Sequence, residues 1–476
     1  MDFTVYDIIL LVSFVVFTSV FLYRRRKNLK KEGLLFLYKT SWGMKLIDRI
    51  GNKYKKTLDF LSYVSIAVGF LLMAAMIYLF GKLVWTYVFQ SDIVQIVKIP
   101  PIMPLIPYLP QLFKLSFLPP FYFIYWIIIL AVVAISHEFS HGIFAVNKKI
   151  KIKSTGFGFF PYFLPIFLAA FVELDEKNME KKKISSQMAI LSAGTFMNVI
   201  VGILSLGVLI LFFSLAYTPS GVVFDTYTYS VIGIANISSI NNLSVTNPDY
   251  TEIIALSNET GFNEIEANGI KYLATKSLLE EQKDYGGYFI VFDDAPAINA
   301  NLSSTIVKID GVIVPNKEVL GEKILTYSPG DKVTITTLED NDFLLDTEMV
   351  LGKNPENKTA PYLGIGFIEA ENSGILKKIV SVVTSFKDQS VYYQPNFGAA
   401  DVIYDLLWWL VLISFSVALC NMLPVGIFDG GKFFYLAILA ITKSKAKAKK
   451  AFSIITYLFL ALLAVIMIFW AINMFK

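Results

Sequence analysis

Six long apolar runs divide the chain, near residues 5–23, 59–89, 119–146, 187–217, 401–424 and 451–474. Each supplies the roughly 20 residues a helix needs to cross a hydrocarbon core of about 30 Å. Between the fourth and fifth runs the pattern changes. Residues 219 to about 368 are polar and Asn-rich, with alternating stretches such as TIVKIDGVIV (305–314) and KVTITTL (332–338), the period of half-buried strands. The pattern predicts a polytopic α-helical membrane protein of about six spans with an inserted β-rich soluble domain. The second run is long enough to tilt or to carry a polar break at Lys82. A further apolar stretch, GFGFFPYFLPIFLAAFVE (156–173), is interrupted by Gly156, Gly158, Pro161 and Pro165 and cannot span as one helix. It is expected to dip into the membrane as a re-entrant hairpin, held against protein or a wet cavity.

Composition agrees with this reading, since 55% of the 476 residues are hydrophobic and only 17% charged. Charge then orients the spans. Arg24, Arg25, Arg26 and Lys27 follow the first run at once, the reverse of a cleavable signal, which predicts a retained anchor with its N-terminus outside. Lys and Arg crowd 24–58, 147–186 and 443–450, so these segments are expected in the cytoplasm and both termini outside. The apolar, proline-rich loop 90–118 is expected to pack on the outer membrane surface. Segment 28–58, Lys-rich and amphipathic, suits either a helix lying on an anionic inner leaflet or an ordinary positive-inside loop.

Residues 219–368 hold 21 Asp and Glu against 9 Lys and no Arg, so the formal charge of +4 reflects membrane sidedness and not nucleic-acid binding. All five Asn-x-Ser/Thr sequons, at Asn236, Asn242, Asn258, Asn301 and Asn357, fall in this segment, as an exterior face allows. The single cysteine, Cys420, excludes an intrachain disulfide and reads as a small buried apolar residue.

Both histidines of the chain lie in AISHEFSHGI (134–143), inside the third apolar run. His137 and His141 are four apart and share one helix face, with Glu138 beside them. His-Glu-x-x-His is a pair of imidazoles able to hold Zn²⁺ plus a glutamate that takes the proton of a water. An ionisable residue in a span costs about 2.5–3.5 kcal/mol on insertion scales, so this cluster marks function. A catalytic zinc keeps three protein ligands, and no third histidine exists. The third ligand is therefore expected to be a carboxylate at the same depth. Asp429, in CNMLPVGIFDGGKFF (420–434), follows a stretch that Pro424 and Gly426 should unwind, and the double glycine after it admits close backbone approach. Asp401 and Asp405 are the alternatives, but they sit at the outer end of the fifth span while the histidines lie near the inner end of the third. Depth selects Asp429.

These residues resemble the site-2 protease family of zinc metalloproteases. HEFSH fits the family's His-Glu-x-x-His, and NMLPVGIFDG fits its Asn-x-x-Pro-x-x-x-x-Asp-Gly at Asn421, Pro424, Asp429 and Gly430. The hairpin at 156–173 is similar to the family's membrane-embedded hairpin, and LSAGTFMN (191–198) resembles its middle core helix at Gly194 and Asn198. Residues 295–336 look like the PDZ domain often inserted after that helix. The chain departs from the PDZ pattern at AINANL, which lacks the usual loop glycine, and residues 222–285 read as an insertion or a second small module.

The resemblance implies an intramembrane zinc metalloendopeptidase that cuts peptide bonds within or near transmembrane helices. One catalytic Zn²⁺ is expected on His137, His141 and Asp429, with Glu138 as acid–base. Asn421 is expected to donate to the substrate backbone or the developing oxyanion, and Asn198 reads as a packing residue. The substrate helix must unwind, for which the hairpin offers an edge strand with Phe159, Phe160 and Tyr162 lining the entry. Expected partners are transmembrane protein substrates and membrane lipid, with no nucleic acid. The expected place is the cell membrane, with the site near the cytoplasmic side. The organisation reads as 1–118 (two N-terminal spans), 119–217 (first part of the catalytic core), 218–368 (exterior PDZ-like domain), 369–440 (second part of the core) and 441–476 (C-terminal span). Two rival readings are a catalytically silent zinc protein that binds partners through the exterior domain, and a metal transporter. Glu138 argues against the first, and a single ligand cluster against the second.

Overall fold

The computed structural model describes residues 3–32, 35–90, 100–101, 103–115, 117–159, 168–283, 286–339, 343–355, 357–368, 381 and 383–474. The principal helices are α1 (Phe3–Arg24), α2 (Met44–Lys53), α3 (Lys55–Phe89), α4 (Phe123–Asn147), α5 (Ile184–Ala216), α6 (Ala400–Asn421), α7 (Asp429–Thr442) and α8 (Lys445–Met474). All but α2 and α7 are long and apolar enough to cross a membrane, so the chain is an integral membrane protein. Helices satisfy their own backbone groups, which is why uninterrupted apolar runs become helices in lipid. α3 continues unbroken through Lys82, whose side chain is exposed. A lysine is a good helix former whose long stem carries its charge outward, so it makes no break.

The chain divides into two compact units, residues 1–212 with 401–476, and residues 213–400. The first contains the membrane helices and a four-stranded antiparallel sheet of order β1 (Leu29–Glu32), β2 (Leu35–Thr40), β3 (Ile152–Phe159), β4 (Leu168–Leu174). β3 and β4 form a hairpin in which Gly158 pairs with Ala169 and Phe157 with Ala170. Its tip, with Phe160, Pro161, Tyr162 and Pro165, lies outside the described residues. Of the two readings left open for 28–58, the helix holds for part of the segment: α2 and the start of α3 are helical, while residues 35–40 extend the hairpin through β2. Gly156 permits this join, because a Cβ there would stand 2.1 Å from the Tyr38 carbonyl oxygen.

Cys420 is exposed, not buried. Ala418 is fully buried in α6, and Cys420, two positions on, points about 200° away from it.

α1 is tied to α4 by a carboxylate. Asp7, 3% exposed, accepts from the Tyr108 hydroxyl (2.5 Å) and from the backbone N–H groups of Phe123 (2.6 Å) and Ile124 (2.9 Å). It caps the first turn of α4 from another helix and satisfies donors that a helix start leaves open. Trp126 adds a bond from its indole N–H to the Leu105 carbonyl (3.0 Å), fastening the described part of the proline-rich loop to the same place.

The second unit holds, among its described residues, two short two-stranded pairs and two larger sheets with separate cores. One has the order Phe343–Val350, Lys332–Glu339, Thr305–Ile309, Tyr217–Val223, Val391–Pro395, and packs Val222, Ile306, Ile309 and Ile335. The other spans Tyr229–Asp293 in six strands and packs Ile237, Ile240, Ile253, Ile265 and Phe289 around its own centre. The second sheet and its core thus come from strands within residues 229–293, a range that overlaps most of 222–285. Three hairpins turn on pairs with positive φ, Asn241–Asn242, Asn268–Gly269 and Asp310–Gly311. Two-residue hairpin loops of this kind favour Asn, Asp and Gly, so turn chemistry accounts for part of the Asn enrichment.

Replacing Asp7 by Ala strands the buried N–H groups of Phe123 and Ile124, and should lower unfolding stability in detergent by about 1–3 kcal/mol. Asn, which keeps an acceptor, should lose less. An unchanged unfolding midpoint in Asp7→Ala would show that the cap contributes nothing.

Candidate metal centre

α4 brings His137 and His141 together with their Nε2 atoms 3.1 Å apart. Both are buried. Asp429 opens α7 and places Oδ2 at 3.3 Å from His137 Nε2 and 3.2 Å from His141 Nε2. α6 ends at Asn421, and the chain reverses through residues 422–428 before α7 begins. Gly430 and Gly431 make this reversal possible: a Cβ on Gly430 would stand 2.4 Å from the Met422 carbonyl carbon, and one on Gly431 would stand 2.4 Å from the Val425 oxygen. Asp401 lies in the first turn of α6, the opposite end from Asn421.

α5 supplies the third wall. Ile190, Gly194 and Asn198 recur every four residues on one face of that helix and meet the imidazoles in turn. A Cβ on Gly194 would stand 2.5 Å from His141 Nε2 and 2.6 Å from His137 Nε2. The Ile190 carbonyl lies 2.6 Å from His141 Nδ1, and the Asn198 amide 3.0 Å from His137 Nδ1. Asn198 is thus more than the packing residue its sequence context suggested. The four-residue stripe was the available signal, but without knowing which helix faced α4 it had no partner.

The donor set fits a zinc ion. Four ligands arranged tetrahedrally at about 2.0–2.1 Å stand roughly 3.3 Å from one another, and the three Nε2 and Oδ2 atoms here are separated by 3.1, 3.2 and 3.3 Å. A ligating Nε2 needs its lone pair, so the proton must sit on Nδ1 and be accepted there. The Ile190 carbonyl accepts it for His141. For His137 the acceptor is at hand in Asn198 Oδ1, a buried oxygen without a partner, which a half-turn of the amide brings onto Nδ1.

Glu138 lies within the same cluster, its carboxylate and the two imidazoles having ligand atoms within 4.8 Å. Its Oε2 accepts from the backbone N–H of Val172 in β4 at 3.0 Å. Two cavities reach Glu138 and Asp429. A polar one of 460 Å³ passes Lys153, Glu173, Glu176 and Lys432, and a mostly apolar one of 350 Å³ passes Ala169, Ala170, Val417 and Asn421. In the polar cavity, hydrogen bonds from Lys39 (2.6 Å) and then Ser154 (2.6 Å) hold the Glu173 carboxyl below its usual range, so it stays charged at neutral pH. Phe159 ends β3 as a buried residue. Phe160 and Tyr162 lie outside the described residues.

The family model for peptidase family M50 matches residues 125–466, an interval that contains both motifs and every residue of this centre. The chain belongs to peptidase family M50. That is the site-2 protease family of zinc metalloproteases. An uncharacterized protein of Methanocaldococcus jannaschii is 31% identical over 219 residues, 44% of this chain and 52% of that protein. A protein of Xylella fastidiosa named "Putative zinc metalloprotease" is 31% identical over 106 residues, 21% of this chain and 24% of that protein. The chain spans about half the length of the first relative and about a quarter of the second. In this family member the zinc expected of the family has a fitting donor set in His137, His141 and Asp429.

Gly194→Val should abolish stoichiometric zinc in the purified protein, measured by atomic emission, with helix content unchanged. Asn198→Ala should weaken zinc binding about 10–100-fold in chelator competition. Full zinc occupancy and affinity in both variants would exclude α5 from the centre.

Proposed function

We propose that this M50 peptidase hydrolyses peptide bonds within or near transmembrane helices of membrane-protein substrates. The reading rests on one observation above the rest: Glu138 and the His137–His141–Asp429 triangle stand where a polar cavity meets an apolar one. Water needs the first and a membrane segment the second.

His137, His141 and Asp429 would hold one Zn²⁺, which when bound polarises the scissile carbonyl and lowers the pKa of water toward about 7. Glu138 takes the attacking water's proton and returns it to the departing amine. The Val172 N–H fixes one of its carboxylate oxygens and so sets the direction of that transfer. Asn421, at the end of α6 in the apolar cavity, donates to the substrate backbone or to the developing oxyanion, a contact worth about 2.7–4 kcal/mol where it is made in the transition state.

A helical substrate hides its peptide bonds and must unwind. β4 is the outer strand of its sheet, and Val172 turns its N–H away from β3. In an antiparallel ladder alternate residues face the same side, so Ala170 presents its N–H along that same edge, inside the apolar cavity. An extended substrate adds there as a fifth strand, on the re-entrant hairpin, and is delivered to Glu138. We read residues 218–368 as an exterior PDZ-like domain. The antiparallel sheet and the helix Lys317–Ile324 support the likeness. Residues 119–217 and 369–440 form the catalytic core, flanked by spans in 1–118 and 441–476. The basic segments face the cytoplasm, with the centre near that side of the cell membrane.

Glu138→Gln should keep zinc and lose cleavage of a model transmembrane substrate in reconstituted vesicles. Cleavage at the parental rate would refute the protease reading, and substrate binding without cleavage in the parental protein would favour a silent zinc-binding role. Ala170→Pro, which removes an edge N–H without touching the β3 ladder, should slow cleavage with zinc content unchanged. Unchanged turnover would rule out strand addition at β4.

A further inference from the structure

α2 carries two opposed stripes. Gly43, Ile47 and Gly51, four residues apart, are seated on α4. A Cβ on Gly43 would stand 2.3 Å from Phe139 Cζ, one on Gly51 would stand 2.7 Å from Val146, and Ile47, fully buried, meets Gly142. Phe139 and Gly142 are interleaved with His137, Glu138 and His141, so α2 packs directly against the back of the metal-binding turn.

The other stripe is Trp42, Leu46, Arg49 and Lys53, all exposed, with Lys45 beside it. Trp42 and Leu46, large apolar side chains, are 58% and 49% exposed among the described residues. The Trp42 and Phe139 rings pack on each other, centroids 5.5 Å apart, and beside them lies a mostly apolar cleft of 620 Å³ lined also by Met44, Leu46, Lys45 and one carboxylate, Asp48. From Arg24 to Lys56 the chain holds 12 Lys and Arg against 2 Asp and Glu. Aromatic and leucine side chains at the front of a cationic helix, with an apolar cleft beneath, suit a phospholipid with an anionic headgroup: the headgroup pairs with Lys45, Arg49 and Lys53, and the acyl chain enters the cleft.

We propose that α2 docks on anionic lipid headgroups with Trp42 and Leu46 inserted, and that this docking braces the His137–His141 turn through Phe139, Ile47 and Gly142. The inference does not depend on proteolysis, and neither does its test. The full-length zinc-loaded protein is placed in vesicles of phosphatidylcholine alone or of phosphatidylcholine with phosphatidylglycerol at three to one. Backbone hydrogen exchange over residues 44–56 and zinc release to a chelator are then followed. In the anionic vesicles exchange should slow roughly tenfold, and zinc release should slow with it. Both effects should disappear in about 1 M NaCl, where the screening length falls to roughly 3 Å, and in the triple variant Lys45→Gln, Arg49→Gln, Lys53→Gln. Equal exchange in the two vesicle types overturns the docking, as does protection that arises only when a soluble protein is added. Slower exchange with unchanged zinc release overturns the bracing.

Discussion

Two imidazole nitrogens and a carboxylate oxygen within 3.3 Å of one another, inside a bundle of apolar helices, impose the constraint on which the first unit depends. Each group alone would be costly to bury, since polar atoms out of water need partners. Partners can reach them only if backbones come closer than ordinary side chains allow. Gly194 lets α5 lie against both rings, and Gly430 and Gly431 let α7 start directly under the reversal that follows α6. The glycines and the ligands are therefore one device seen from two sides: the ligands demand contact, and the missing Cβ atoms grant it.

The membrane helices were legible because hydrocarbon leaves the backbone few alternatives, so a long apolar run carries its own secondary structure. The pairing of His137 with His141 was legible from helical spacing, and Asp429 from a depth argument that the reversal at 422–428 now makes concrete. Long-range partnerships were not. Asn198 carries no local mark separating an imidazole's hydrogen-bond partner from a packing amide, and Val172 offers only a backbone N–H, which no side-chain pattern encodes. The strands within 29–40 escaped the sequence for a related reason: charge and amphipathicity left 28–58 open between helix and loop, whereas β3, more than a hundred residues away, supplied the edge for residues 36–40 to pair with. Cys420 shows the opposite error. A small apolar residue is assumed to be inside, but in a helix apolar all round composition does not separate the buried positions from the exposed ones.

The two cavities differ in polarity. Lys153, Glu173, Glu176 and Lys432 line one, and alanines and branched aliphatics line the other, yet both end at Glu138 and Asp429. The second unit is built on other rules, with alternating strands around two separate cores and turns that use Asn, Asp and Gly where φ must be positive.

Asp7 joins two distant parts of the chain. Its partners, the N–H groups of Phe123 and Ile124, lie 116 and 117 residues further along. One carboxylate therefore sets both where the first helix sits and where α4 begins, and α4 is the helix that carries His137 and His141. The register of the metal-binding turn is thus anchored, fourteen residues upstream, by a side chain near the start of the sequence.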